Sequence, residues 1–229
     1  MADITGGFKK LKEDLSRMTF KEKVDHLWTY YKSTLLIAII AIVAVSVVVT
    51  SIINVNSDII VSGVAVNVYL SEEGQQYLKD DYYDKVYDGS GLEKVDFAEM
   101  SLYDMTDYEH AQETEYTTLA LAALISDGKL DYMIVDQVGL NNFIRQQDIL
   151  QDLRALFSQE ELDANSQRLV VLAEEENKEN GTPIALDITD TPFIQDNTNQ
   201  SGKVYLIFCL NSPREDACRA IYQHILDWK

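Results

Sequence analysis

Asp136 and Gln137 are the residues best placed to do chemistry, because they follow the apolar run LDYMIV and close what reads as a central strand. Ligands of open α/β sheets bind outside the carboxyl ends of strands, so an acid and an amide there are candidate ligand contacts. Cys209 lies in an apolar strand pattern and Cys218 in the helix pattern after it. A strand packed on its succeeding helix could bring their Cα atoms within ~7 Å, which makes the pair a candidate disulfide in an oxidising exterior. Two small buried core thiols are the alternative.

Other chemistry finds little support. His26, His110 and His224 have no metal-ligand spacing, and Asp196–Gly202 departs from a calcium loop at Thr198, so no metal is expected. Acid clusters at Asp80, Asp81 and Asp84 and at Glu174–Glu176 read as solvated surface, as do Asp187 and Asp190. The chain has no Gly-rich phosphate loop, no Gly-x-Ser-x-Gly elbow and no His-Glu-x-x-His. The expectation is therefore a protein that is not an enzyme and carries no cofactor.

The element that must position all of this is the uncharged run Leu35–Ile53, LLIAIIAIVAVSVVVTSII. As a helix it would reach roughly 29 Å, close to the hydrocarbon thickness of a bilayer. A transmembrane helix is expected over 34–54. Residues 1–33 carry seven Lys/Arg and five acids, whereas the part after the span carries twelve Lys/Arg against 33 Asp/Glu, a net of −21. The basic flank is expected in the cytoplasm and the C-terminal domain, 55–229, outside the cell. The apolar run exceeds a signal-peptide core and offers no small-x-small cleavage site, so an uncleaved single-pass anchor is expected. So acidic a domain repels phosphates, which argues against nucleic acid as a partner.

Within 1–33, Phe8, Leu11, Leu15 and Met18 recur at helical spacing, and Phe20, Val24, Leu27, Trp28 and Tyr31 do so again. Trp28, Tyr30, Tyr31 and Lys32 fall at headgroup level, the place for membrane-interface side chains. The segment reads as an amphipathic helix lying on the lipid bilayer, with docking of a cytoplasmic partner as the alternative.

Beyond the span, strand and helix patterns alternate, which predicts a layered α/β domain with a largely parallel sheet. Asp58–Leu70 predicts a strand with Val64, Val66, Val68 and Leu70 on one face. A helix capped by Ser71 runs to about Tyr87, and Val95–Tyr103 is a second strand. Thr106 opens a long helix whose run Leu119–Ile125, apolar nearly all round, should be deeply covered. After the central strand come a helix near 138–146 and a short one capped by Ser158 and Glu161. Strands at Leu169–Leu172 and Ile184–Ile188 flank a charged surface linker that turns at Asn180-Gly181. A strand over Val204–Leu210 precedes Ser212-Pro213-Arg214-Glu215, a capping box opening the last helix.

Three stretches carry a resemblance. LDYMIVDQVGLNNFIRQQDILQDLRALF (130–157), PIALDITDTPF (183–193) and KVYLIFCLNSPREDACRAIYQHIL (203–226) resemble segments of the extracellular solute-binding proteins of bacterial transporters. With the Trp-x-Tyr-Tyr patch before the span, the layout resembles a group of single-pass membrane proteins of Gram-positive bacteria. In these, a shortened solute-binding-protein-like domain follows the anchor. The resemblance implies that 183–193 is an interlobe return, which adds Asp187, Thr189 and Asp190 to the candidate ligand contacts. The chain lacks the lipid-anchor cysteine of such binding proteins, and its 176 residues after the span suffice for one lobe with additions. The expected function is thus a membrane-anchored binding module that contacts a membrane or cell-surface protein as part of an assembly. A tethered domain that binds or senses a small-molecule solute is the alternative.

Overall fold

The apolar run Ile59–Val66 forms the first strand, β1 (Asp58–Val66), and strand and helix alternate from there. The computed structural model describes residues 19, 28, 32, 36–47, 58–87, 93–103, 107, 109–145, 149–174 and 177–229. The chain divides into two units, Met1–Asn56 and Ser57–Lys229. In the second, β1 leads through α1 (Glu72–Gln76), a π turn (Tyr77–Asp81) and α2 (Tyr82–Val86) to β2 (Glu93–Met100). Then come α3 (Ala111–Ser126), β3 (Tyr132–Asp136), α4 (Gln137–Ile144), α5 (Leu153–Leu156) and α6 (Gln159–Ala164). The unit finishes with β4 (Leu169–Glu174), β5 (Asn177–Asp187), α7 (Pro192–Asn197), β6 (Val204–Phe208) and α8 (Glu215–Leu226).

The six strands form one sheet in the order β2-β1-β3-β6-β5-β4. β1 pairs in parallel with β2 and β3, and every other pairing is antiparallel. The sheet is therefore mixed, not largely parallel. The cause lies in the charged segment expected to be a linker. It extends β4 and β5 into a hairpin with Glu174 opposite Asn177, and so short a connection admits only antiparallel pairing. Gly181 sits inside β5, not in a turn. A Cβ there would lie 2.7 Å from the Leu172 carbonyl oxygen, so the close approach of backbones requires glycine.

Period-two alternation gives the sheet two covered faces. Val61, Ala65, Tyr132, Ile134, Leu206 and Phe208 pack with Leu78, Tyr82, Leu153, Phe193, Ile221 and Ile225 on one side. Val64, Val66, Met133, Val135 and Ile207 pack with Leu121 and Ile125 of α3 and Leu140 and Phe143 of α4 on the other. The expected alternation fails after Val66. Asn67 takes a left-handed conformation, φ 58°, and Val68 and Leu70 cross to the opposite core.

Two further expectations are corrected. In α3 only Thr114, Leu121 and Ile125 are buried, and Leu119 is 59% exposed. A helix laid on a sheet buries one stripe, so Leu119, Ala120 and Ala123 of this apolar run stay bare while Ala122 and Leu124 are half-buried. Ser212 does not cap α8. Its hydroxyl donates to Asp131 Oδ1 at 2.5 Å, and Arg214, without a side-chain cap bond, occupies the cap position.

In the first unit, residues 36–47 are helical and exposed along their whole length. The rest of the expected span, and Tyr30 and Tyr31, lie outside the described residues, as does Thr106. Trp28 and Lys32 are helical and exposed. Among the described residues no helix is long and apolar enough to cross a membrane.

Candidate functional site

β1 stops because Asn67 turns left-handed, a conformation that asparagine tolerates better than most residues. The turn aims its carboxamide across the carboxyl ends of the parallel strands. Its Nδ2 donates to the Leu102 carbonyl at 2.6 Å and to Asp136 Oδ1 at 3.2 Å, while its Oδ1 accepts from Leu102 N at 2.7 Å. Asp136 ends β3 in extended backbone and caps α4, accepting from Gly139 N at 2.7 Å. Gln137, the first residue of that helix, donates to Asn141 Oδ1 at 3.0 Å and accepts from the Tyr205 hydroxyl at 2.6 Å.

The second candidate group lies at the same end of the sheet. Register places Asp136 opposite Val204 and Asp187 opposite Tyr205, so the ends of β3 and β5 flank the start of β6. Asp187 accepts from the Thr189 hydroxyl at 2.5 Å and from Lys203 Nζ at 2.9 Å. Burial pushes its carboxyl pKa up, but the bonds from Thr189 and Lys203 outweigh that and hold it below the usual carboxylate range. The Thr189 hydroxyl also accepts from Val204 N at 3.0 Å. Asp190 is exposed and, with Asp187, Gln167 and Arg168, lines a pocket of about 190 Å³.

The structure thus brings the five candidate contacts to one rim, though most of their polar atoms are engaged with neighbours in the chain. Sequence reasoning missed Asn67, Lys203 and Tyr205, which supply the cross-links. An asparagine directly after a strand was the available signal, since Asn is enriched among left-handed residues. Nearby, Tyr103 stacks on His110 with centroids 4.1 Å apart, and His110 Nδ1 lies 3.0 Å from Asp107 Oδ2. The Glu113 charge, and then burial, raise the Tyr103 hydroxyl above its ordinary value. Among the described residues no Ser, Thr or Cys side chain hydrogen-bonds to His110.

Cys209 and Cys218 are free and buried, and they belong to opposite core faces. Burial raises both thiols, Cys218 to about 12, which leaves them protonated and unreactive. Among the described residues no three His, Cys, Asp or Glu side chains converge on a point that could hold a metal ion. A groove of about 430 Å³ runs between α6 and α8 over Phe157 and Tyr222. There Arg219 is bonded to Asp216 and to the Leu156 carbonyl.

No protein-family model, curated protein or solved structure matches this chain.

Proposed function

We propose that this chain is a membrane-anchored, non-enzymatic binding module whose acidic α/β domain faces the cell exterior and works through contact with another protein. One observation carries the choice over solute binding. At the crevice between β1 and β3, where the chain's connections reverse direction and open α/β sheets take ligands, Asn67 and Asp136 bond each other and the neighbouring backbone. A ligand entering there would have to replace these bonds with equivalent ones. The pocket at Asp187 and Asp190, about 190 Å³, is smaller than the ~300–1,000 Å³ of ordinary small-molecule sites. The anchor reading draws support from residues 36–47, a helical stretch of bare apolar side chains that bilayer would cover and water would not.

A thermal-shift screen with sugars, amino acids and short peptides tests the choice. No stabilisation is expected. Stabilisation by one compound that disappears in Asp136→Asn or Asp187→Asn would replace this reading with the tethered solute-binding one.

A further inference from the structure

We propose that the bare stripe of α3, formed by Tyr116, Leu119, Ala120 and Ala123, is the docking surface for a partner helix that is apolar on one side and flanked by Lys or Arg. The inference rests on the protein-contact reading above and names the surface and the partner's chemistry. Positions 112, 116, 119, 120 and 123 share one face of the helix, and all five are exposed, Tyr116 at 63% and Leu119 at 59%. Gln112 Nε2 donates to the Tyr116 hydroxyl at 3.2 Å, which holds the ring along the stripe. A tyrosine and a leucine are suitable anchors, and the two alanines let a second helix approach closely.

Charge selects the occupant. Glu113 and Glu115 are exposed and border the stripe on its two sides. From Lys94 to Lys129 the chain has no Lys or Arg and eight acids, and Lys129 is itself paired with Asp127 at 3.1 Å. A second copy of this helix would set carboxylates against carboxylates, and an anionic lipid surface would be repelled in the same way. A helix with basic flanks meets both borders with opposite charge.

The test uses the full chain in phosphatidylcholine nanodiscs. The probe is a labelled model helix with a leucine face and lysine flanks, beside a counterpart with glutamate flanks. After correction for empty discs, the lysine helix should bind and the glutamate helix should not. Leu119→Glu with Ala120→Glu, both on the exposed stripe, should weaken binding about tenfold or more. That variant is more acidic, so attraction by net charge alone would predict the reverse. Glu113→Gln with Glu115→Gln should weaken binding and flatten its salt dependence. Unchanged or tighter binding by the Leu119 and Ala120 variant would overturn this surface while leaving the protein-contact reading in place. Sedimentation showing a dimer lost in that variant would overturn it in favour of a second copy. Failure of the underlying reading shows elsewhere, as ligand stabilisation in the thermal-shift screen.

Discussion

Asp131 is fully buried, and both its carboxyl oxygens are engaged. It accepts from Ser62 N at 2.6 Å, from Ser212 Oγ at 2.5 Å, and from Arg214 Nε at 2.8 and 3.1 Å, while Arg214 Nη2 reaches the Gly128 carbonyl at 2.9 Å. Removing one partner of such a pair leaves the other charge stranded, so Asp131→Ala should cost about 3–5 kcal/mol in urea unfolding. A loss under about 1 kcal/mol would show that water replaces the carboxylate there. His224 makes a second residue-scale prediction. Its Nε2 lies 2.9 Å from the Tyr77 carbonyl and its ring stacks on Tyr77 at 3.9 Å, while Nδ1 has no partner among the described residues. Burial lowers its pKa and Lys85 adds to that, against the Tyr77 carbonyl and the acids Asp81 and Asp227. As pH falls below the ordinary 6.5, the unfolded chain takes the proton first. Stability should therefore be complete above 6.5 and decline as pH falls from there toward the lowered folded-state value, and His224→Gln should flatten that limb of the urea-midpoint profile. Asp136 was legible in the sequence because it ends an apolar run. Asp131 was not, since Arg214 lies 83 residues further on and one sequence does not reveal so distant a pair.

Elements were legible where side-chain period carried them. The alternation of Val64 and Val66 marked β1, continuous apolar runs marked β3 and β6, and Ser158 with Glu161 marked the start of α6, where both halves of the capping box are made. Ser158→Ala should cost about 1 kcal/mol by the same urea assay. The β4–β5 hairpin was illegible because its charged residues follow no strand pattern, and pairing between the two segments makes the structure. The end of β1 was illegible for another reason: one backbone angle at Asn67 decides it. Asn67→Gly keeps that angle and loses the side-chain bonds, whereas Asn67→Ala loses the bonds and must also strain. The alanine variant should be the less stable by about 1–2 kcal/mol. Equal stability would show that the carboxamide, not the turn, sets the end of the strand.

At the scale of the whole molecule, the proposed topology makes residues 1–33 internal and the acidic domain external. Protease added to intact cells should remove the C-terminal domain and spare the first thirty or so residues. Protection of the domain would place it inside and end the exterior reading. The order β2-β1-β3-β6-β5-β4 has one more consequence, for the way the domain is made. The last strand in sequence is a middle strand of the sheet, joining β3 on one side to β5 on the other. Until it arrives, a parallel trio and a lone hairpin each present an open edge, and neither can finish the other. A chain synthesised N-terminus first would leave the ribosome with this sheet in two pieces, to be closed only when β6 emerges. Folding should then be a late, single event with a high barrier from distant contacts, and a release of the chain before β6 should yield sticky, protease-sensitive fragments instead of a smaller folded core.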